Sequence, residues 1–450
     1  MGRKKPGKKS KTSKKSLTVV IAVLAVVCLM AGGIYIDTFH GSGAFRSFLA
    51  EWKGAEGPSA EDGSQVVESM EIDISSKATM AVFGEEFMLC TKDGVKYYAS
   101  MGNQKWSDTF NMTSPAIAQE GDYVAVGDMG GKTVRVYDRD GLCYDLQAEG
   151  SPVQFALNEN GYLSLITKQN DDYRIRIYNG KGSLLKERVE ESKGIYPLSS
   201  DISDDNRAFA VSYLDATDIS PIARVLLFYI SADDSENYTD SIFAAAVEKT
   251  DAIIPVVSYR ENGVLAVLSD QCIYGIGSDG GELWSYPLGN TIDQVALGAK
   301  EYIVLALGDS LANADGREKG TVLWLDDSGK EKTAYETGES VTYLLSGEKG
   351  VVIGNDRSYT GTNHSGSVGW DYIATADMSD LIPMEKLNRV MTVGKEQVAI
   401  MDMTKAQKTA EPELPADVGT ELPADGPDTS GGEPAENAEN DATNAAQNEE

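Results

Sequence analysis

The chain is long, acidic and poor in cysteine. Its 450 residues, 41% of them hydrophobic, are enough for two or three average domains or for one large repeat domain. The formal net charge of -30 repels nucleic acid phosphates and argues against nucleic-acid binding. The four cysteines show no CxxC or metal-type spacing, which favours buried single thiols, with a Cys90–Cys143 disulfide as the alternative.

A basic segment and an apolar segment open the chain. Residues 1–16 carry eight basic and no acidic side chains. The next 20 residues, Leu17 to Ile36, are uncharged and span a hydrocarbon core of about 30 Å as a helix. Because flanking lysines stay in the cytoplasm, the pattern predicts one transmembrane helix over 17–36 with the remaining chain outside the cytoplasm. The same lysines predict contact with anionic lipid, at roughly 1 kcal/mol each.

A cleaved signal peptide is the main alternative to this anchor. The apolar run is longer than the usual stretch of about 7–15 residues, and no clean A-x-A site follows it. A lipoprotein site at Cys28 requires a small residue before the cysteine, and Val27 stands there. The pattern therefore favours an uncleaved anchor, followed by a juxtamembrane linker over 37–70.

Residues 71–405 have the pattern of an all-β domain. Short runs rich in Val, Ile, Leu, Tyr and Phe alternate with turns rich in Gly, Asp and Asn. The clearest unit has predicted strands at 123–127, 133–137 and 142–146, with a hairpin turn at Asp138–Gly141. The units recur with a mean spacing of 44 residues and begin near Phe87, Tyr123, Tyr162, Ala208, Val264, Tyr302 and Val351.

Another short apolar run usually precedes each unit, so that a unit holds four strands. Four strands in about 40–45 residues are typical of a β-propeller blade, because only a ring of such sheets buries both faces of each one. Seven blades are predicted. Arg389–Thr392 and Val398–Met401 are surplus strands that can pair with N-terminal residues such as Met70–Ile74, so an eight-bladed ring is the alternative. Tandem β-sandwiches predict longer units, and a parallel β-helix predicts shorter ones.

The C-terminal segment, residues 406–450, differs in composition from the predicted propeller. It contains no aromatic residue, and from residue 409 onward it carries twelve acidic and no basic side chains. The sequence Glu-Leu-Pro-Ala-Asp occurs at 413–417 and again at 421–425. Such a segment cannot bury enough apolar surface to offset its ordering entropy, so a disordered tail is predicted.

The sequence predicts no catalytic, cofactor-binding or metal-binding residues. Its two histidines are His40, in the linker, and His364, in a turn-like loop where a solvated side chain is expected. The carboxylate groups at Asp201–Asp205 and Asp233–Glu236 do not follow the calcium-loop pattern. No Gly-rich phosphate loop lies between a predicted strand and a helix.

Two tryptophans indicate how the predicted blades pack. Trp106 follows the turn Gly102-Asn103, and Trp284 follows the turn 278–281. Both resemble the strand endings of quinoprotein-type propeller repeats, in which the tryptophan docks one blade on the next. The layout as a whole resembles an uncharacterised family of bacterial membrane proteins with a lysine-rich N-terminus, one anchor, a propeller and a variable tail. This resemblance implies the fold and topology, and it transfers no site residues.

The sequence therefore predicts a membrane-anchored propeller outside the cytoplasm. Its expected role is protein or ligand binding, or scaffolding, in the cell envelope, with an unknown envelope protein or glycan as partner. The alternative is an envelope enzyme, either a hydrolase or a quinoprotein-like oxidoreductase, with carboxylates or His364 converging at the propeller channel. A third hypothesis is a purely structural role in which the acidic tail reaches through the wall.

Overall fold

The apolar runs of the sequence form short antiparallel strands joined by tight turns. A computed structural model describes residues 65–72, 78–308, 320–355, 357–374, 378–394 and 397–404. These residues form 32 strands and one short 3₁₀ turn, Thr239–Ser241, so the predicted all-β class is confirmed. Within these ranges no helix has the length and apolar character needed to cross a bilayer. The predicted basic segment, transmembrane helix and acidic tail lie outside them.

The strands group into antiparallel sheets of four, here called blades. Blade 1 contains β2 (Thr79–Phe83), β3 (Glu86–Thr91), β4 (Gly94–Ser100) and β5 (Asn103–Thr109). Blade 2 contains β6 (Pro115–Glu120), β7 (Tyr123–Asp128), β8 (Thr133–Tyr137) and β9 (Leu142–Gln147). Blade 3 contains β10 (Ser151–Leu157), β11 (Leu163–Gln169), β12 (Asp172–Tyr178) and β13 (Leu184–Glu190). Blade 4 contains β14 (Ile195–Ile202), β15 (Ala208–Asp215), β16 (Ile222–Tyr229) and β17 (Ile242–Thr250).

The second half of the described chain repeats this arrangement. Blade 5 contains β18 (Val256–Tyr259), β19 (Leu265–Leu268), β20 (Cys272–Ile276) and β21 (Glu282–Pro287). Blade 6 contains β22 (Thr291–Ala296), β23 (Tyr302–Gly308), β24 (Gly320–Asp326) and β25 (Glu331–Thr337). Blade 7 contains β26 (Tyr343–Gly347), β27 (Gly350–Asn355), β28 (Ser358–Thr362) and β29 (Val368–Ile373). Blade 8 contains β30 (Met378–Pro383), β31 (Arg389–Gly394), β32 (Gln397–Asp402) and the N-terminal β1 (Gln65–Glu71).

The propeller has eight blades, and the predicted preference for seven is wrong. The last sheet combines both ends of the described chain, because β1 pairs with β32 and places Met70 opposite Val398. The predicted pairing of the surplus C-terminal strands with an N-terminal strand is thereby confirmed. β1 begins at Gln65, inside the segment that the sequence pattern assigned to the linker. An outer strand packs one face only, so its apolar signal is weak and easily missed.

Antiparallel pairing puts the connections of each blade on two opposite faces. The turns between first and second strands and between third and fourth strands lie on one face, here called the turn face. The turns between second and third strands, together with the links between blades, lie on the other, here called the connection face. β1 is the fourth strand of blade 8, and Gln65 pairs with Asp402 at the turn face. The described chain therefore begins and ends on the turn face.

The hydrophobic core lies between the blades. Middle strands such as β19 are buried at every position, because neighbouring sheets cover both of their faces. Outer strands such as β25 alternate between exposed and half-buried positions, as expected for one packed face. The first strands of successive blades contact one another and surround the central axis, as β2 does with β6 and β10 does with β14. This order makes the blades sequential around the ring.

Tryptophans on three of the fourth strands dock their blades on the next blade. The indole Nε1 of Trp106 donates to the carbonyl oxygen of Arg139 in blade 2 at 3.0 Å. Trp284 donates in the same way to Asp327 in blade 6 at 3.0 Å. The predicted docking role of these two tryptophans is confirmed. Trp370 of blade 7 also bonds to the next blade, but it donates to Leu387 in the turn between the first and second strands of blade 8, at 2.8 Å, and it is completely buried.

Candidate functional site

Polar side chains of the first strands connect neighbouring blades around the axis. The amide of Gln119 in blade 2 both donates to and accepts from the backbone of Val82 in blade 1, at 2.9 and 3.2 Å. Gln154 in blade 3 bonds the backbone of Ser200 in blade 4 in the same two-fold way, at 3.1 and 3.2 Å. A first strand is the inner edge of its sheet, with backbone groups that need partners. These amides supply those partners and leave little polar capacity free for a ligand.

Asp201 is a buried carboxylate at the end of β14. Its two oxygens accept backbone N–H groups, from Ile202 at 2.9 Å and from Tyr259 in blade 5 at 2.8 Å. Burial raises the pKa of Asp201 to about 7, although these two hydrogen bonds favour the charged form. The carboxylate therefore joins blades 4 and 5 and titrates near neutral pH.

An ion pair crosses the axis near Asp201. Lys300, in the turn after β22, lies 3.1 Å from Glu120 at the end of β6, and both side chains are more than three-quarters buried. The Lys300 ammonium also donates to the carbonyl oxygen of Tyr259 at 3.4 Å. Burial raises the pKa of Glu120, and the charge of Lys300 opposes this rise. The pair joins blade 2 to blade 6, which lie four places apart in the ring of eight.

Arg260 completes this group of buried charges, here called the axial cluster (Glu120, Asp201, Arg260 and Lys300). Its guanidinium is 1% exposed and donates to the carbonyl oxygens of Leu297 and Tyr302 in blade 6, at 3.3 and 2.9 Å. Burial lowers the pKa of Arg260. The axial cluster thus binds backbone groups and its own opposite charges, which supports the ring.

The axial cluster does not have the geometry of a metal site. Among the described residues no three His, Cys, Asp or Glu side chains are arranged to hold a metal ion. Asp205 and Asp234, from the two acidic groups in the sequence, bond to residues in turns of blade 4. Asp205 accepts hydrogen bonds within its own turn, from Ser203 and Arg207. Asp234 pairs with Arg207 at 2.8 Å and so ties together two turns of blade 4.

His364 is a packed side chain, and the expectation of a solvated loop histidine is wrong. Its Nε2 lies 2.9 Å from the carbonyl oxygen of Gly347, and its ring stacks on Tyr302 of blade 6 with centroids 4.7 Å apart. His364 lies in the turn between β28 and β29 of blade 7, and its ring contacts blade 6. No local sequence pattern indicates this contact between blades. His40 lies outside the described residues.

The cysteines of the described propeller are all free. Cys90 is buried, and desolvation raises the pKa of its thiol to about 12. Cys143 and Cys272 are half-buried, so the predicted buried state holds for one of the three. Cys90 and Cys143 form no disulfide.

Four exposed apolar side chains lie on the connection face of blades 3 to 5. Val153 and Tyr196, near the starts of β10 and β14, are each 39% exposed. Ile219, in the turn between β15 and β16, is fully exposed, and Ile253, in the link to blade 5, is 40% exposed. The ring of Tyr196 packs edge-on against Tyr173, with centroids 6.1 Å apart. These four exposed residues are here called the connection-face patch.

A groove runs along the outer rim between blades 3 and 4. It has a volume of about 600 Å³ and lies between residues 186–192 on one side and Asp240 and Ser241 on the other. Phe209 and Phe228 form its floor, stacked with ring centroids 4.8 Å apart. A second, smaller pocket of about 380 Å³ between blades 5 and 6 is lined mostly by polar side chains, including Glu261, Glu301 and Asp327.

The fold and its axial cluster define the chain as an eight-bladed β-propeller whose inner charges hold the ring together. The chain belongs to the family of unknown function (DUF5711), whose profile matches residues 60–403. This confirms the resemblance to an uncharacterised propeller family, and the anchor implied by that resemblance stays a prediction. A comparison with curated proteins gave no match.

Solved structures with a similar fold come from several organisms. The chain is similar to BamB from Moraxella catarrhalis, at 12% identity and a TM-score of 0.46, over 75% of this chain and 99% of that one. It is similar to Sqt1 from Saccharomyces cerevisiae, at 12% identity and a TM-score of 0.49, over 71% and 93% of the two chains. It is also similar to the Pan2 WD40 domain of Neurospora crassa, at 8% identity and a TM-score of 0.41, over 64% and 88%.

Proposed function

We propose that the protein is a membrane-anchored β-propeller outside the cytoplasm that docks a protein partner of the cell envelope through its connection face. The observation that carries this proposal is the connection-face patch. Ile219 exposes its whole side chain at the tip of a turn, and Tyr196, Val153 and Ile253 are exposed in the same and adjoining blades. Exposed apolar groups clustered on one face of an otherwise acidic protein are typical of a protein-docking surface.

The position of the chain ends supports the choice of face. Gln65 and Asp402 pair at the turn face, so the segments before and after the propeller join it there. A chain that is anchored through its N-terminal segment holds the turn face on the tethered side and leaves the connection face open to partners.

The contacts of the buried charges favour a binding role over a catalytic one. Glu120 and Lys300 neutralise each other, and both carboxylate oxygens of Asp201 accept hydrogen bonds from backbone N–H groups. A general acid or base needs a free position within reach of a substrate. We therefore propose that the protein is not an enzyme and that its axial charges are structural.

Site-specific photocrosslinking in the cells that make the protein tests the docking surface. A photoreactive amino acid at Ile219 is expected to capture one partner reproducibly, whereas the same group at Leu283, which is 60% exposed on β21, captures none. The change Ile219→Asp should abolish capture at a third position, Val153, without lowering the melting temperature. Equal capture at Ile219 and Leu283 would overturn the proposed surface.

A labelling experiment tests the proposed topology. In intact cells a membrane-impermeant maleimide should react with Asn237→Cys, an exposed residue of blade 4, and not with Ser10→Cys in the basic segment. The unmodified protein, with its native cysteines, sets the background. Labelling at Ser10→Cys alone would place the propeller in the cytoplasm.

A further inference from the structure

The outer strand of blade 3 offers a free edge and exposed apolar side chains. β13 pairs with β12 on one side and with no described strand on the other. Leu184, Leu185 and Val189 are 50%, 41% and 37% exposed, the largest number of such side chains on any outer strand of the described propeller. A free edge presents unpaired backbone N–H and C=O groups that can pair with an added strand.

The groove beside β13 is built from side chains that are already fixed. The guanidinium of Arg188 lies 5.3 Å from the centre of the Phe228 ring and donates through Nε to the hydroxyl of Tyr213 at 3.1 Å. The Nη2 atom of Arg188 lies 3.6 Å from the carboxylate Oε2 of Glu190, a residue that is 8% exposed. Because these contacts hold Arg188 in place, a ligand in the groove does not have to order it.

The opposite wall of the groove has an uncommon backbone conformation. Asp240 and Ser241 are consecutive non-glycine residues with φ of 54° and 63°. Lys186 of β13 donates to the hydroxyl of Ser241 and so holds this turn against blade 3. Left-handed non-glycine residues persist where surrounding contacts fix them, and they are common at ligand-binding sites.

Carboxylates outnumber cations along the groove. Its two cations are Lys186 and Arg188, and its four carboxylates are those of Glu187, Glu190, Glu191 and Asp240. The exposed carboxylates of Glu191 and Asp240 form no ion pair with any residue in the described part of the chain. A basic side chain is therefore the complementary group for the groove.

We propose that this groove binds an extended peptide segment of a protein partner, which adds as a fifth strand to β13 and carries apolar and basic side chains. Because side chains alternate along a strand, apolar side chains of the peptide pack beside Leu185 and Val189 on one face of the sheet, and a lysine or arginine on the groove face pairs with Glu191 or Asp240. This inference rests on the proposed function and names the chemistry of the partner. The groove and the connection-face patch are continuous along the chain, since β13 leads through Ser192 to Tyr196.

Two other occupants fit the charges less well. The C-terminal segment carries twelve acidic and no basic side chains from residue 409, so the free carboxylates of the groove repel it. A second copy of this chain brings its own high negative charge, which opposes pairing of two β13 strands. Both remain as outcomes of the experiment.

Selection of displayed random peptides on the full-length protein tests the proposal. Peptides of about ten residues are long enough to span β13. The selected sequences should alternate apolar residues with other residues and contain lysine or arginine. On binding a selected peptide, the amides of 184–190 should gain protection from hydrogen exchange, and those of β21 should not.

Matched variants separate the groove from the rest of the surface. Leu185→Asp with Val189→Asp should weaken the selected peptides at least about tenfold, or about 1.4 kcal/mol, and Leu283→Asp on β21 should leave binding unchanged. Glu191→Gln with Asp240→Asn should weaken only the basic peptides, and asparagine tolerates the left-handed conformation of residue 240. Peptides that bind all of these variants equally, or that protect no amide of β13, would overturn the inference.

Further outcomes identify a different occupant or separate the two proposals. Peptide binding that emerges only after deletion of 409–450 shows that the tail fills the groove. A dimer in sedimentation that is lost in Leu185→Asp with Val189→Asp shows that a second copy fills it. Either result overturns the peptide proposal. If the selected peptides bind all of these variants equally while a crosslink forms at Ile219, the groove inference fails and the docking function stands. If no crosslink forms at Ile219 while the peptides bind as expected, the docking function fails alone.

Discussion

The ammonium of Lys300 lies 3.1 Å from the carboxylate of Glu120 and joins two blades on opposite sides of the ring. Each blade otherwise contacts mainly its two neighbours, so each blade is stabilised mainly by the blades beside it. This ion pair is a direct connection across the axis. Both side chains are largely buried, which strengthens their attraction and makes loss of either partner costly.

Removal of the ammonium should destabilise the propeller more than removal of the carboxylate. Lys300→Met leaves the Glu120 charge buried without a partner, and we expect a loss of about 1–3 kcal/mol in the free energy of unfolding. Glu120→Gln should cost less, because the Lys300 ammonium keeps its bond to the Tyr259 carbonyl oxygen. The double change should recover part of the Lys300→Met loss, with a coupling of about 1 kcal/mol or more in urea unfolding.

An exposed ion pair of the same charge type is the control for this cycle. Lys193 and Asp171 lie 3.5 Å apart with side chains 84% and 76% exposed, so Lys193→Met should leave stability almost unchanged. Strict additivity of the Glu120 and Lys300 changes would show that the two side chains do not interact in solution.

A glycine in blade 6 makes room for the tryptophan of blade 5. Gly329 has a φ of 75°, and a Cβ at this position would lie 2.3 Å from Cε3 of Trp284, which cannot move without losing its bond to Asp327. Gly329→Ala should therefore reduce the free energy of unfolding by about 3 kcal/mol or more, from the strained φ and the overpacked contact together.

Gly263→Ala separates the two contributions. Gly263 has a φ of 76°, and no atom lies within 4 Å of the Cβ that alanine would add. It should cost only the left-handed penalty of about 1–2 kcal/mol. Equal losses for the two variants in denaturant unfolding would mean that Trp284 does not press on Gly329.

The repeat in the sequence was enough to predict the class of fold. Strand runs such as Tyr123–Gly127 are buried on both faces, so they appear as continuous apolar stretches with clear turns between them. The tryptophans Trp106 and Trp284 occupy strand endings whose spacing already indicated blade docking. The eighth blade was harder to count because its fourth strand, β1, is far from the other three in sequence and has one exposed face.

The axial cluster could not be predicted from the sequence. Glu120 and Lys300 are separated by four blades along the chain, and each stands in or directly beside an ordinary polar turn. Only closure of the ring brings them together. The groove is similar, since Arg188 and Phe228 meet through the packing of blade 3 on blade 4 and share no local pattern. His364 shows the same limit, because its partner Tyr302 belongs to another blade.

The N-terminal strand should contribute to stability through one of its faces only. Val66 packs against the core between blades 7 and 8, whereas its neighbour Val67 is 43% exposed. Val66→Asp places a charge against that core and should lower stability by about 2 kcal/mol or more, while Val67→Asp should be close to neutral. Thermal unfolding of the full-length protein measures both. Equal tolerance of the two changes would indicate that β1 does not close the ring.

Asp201 should make the stability of the propeller depend on pH. In the folded state its pKa is raised to about 7, against 3.8 for an ordinary aspartate, so between these values the folded protein holds a proton that the unfolded chain has released. Stability from this group is therefore fully present below about pH 4, falls as the pH rises, and is lost above about pH 7. At about 1.4 kcal/mol per pKa unit, the total loss is at most about 4 kcal/mol.

The variant Asp201→Asn removes this titration and isolates its effect. The amide can accept only one of the two backbone N–H groups, from Ile202 or Tyr259, so the variant carries a cost of its own at every pH. The free energy of unfolding of wild type minus that of the variant, measured in urea, should nevertheless decrease steadily from about pH 5 to about pH 8. A difference that stays constant with pH would mean that Asp201 is ionised throughout, with the two N–H groups and nearby Lys300 outweighing its burial.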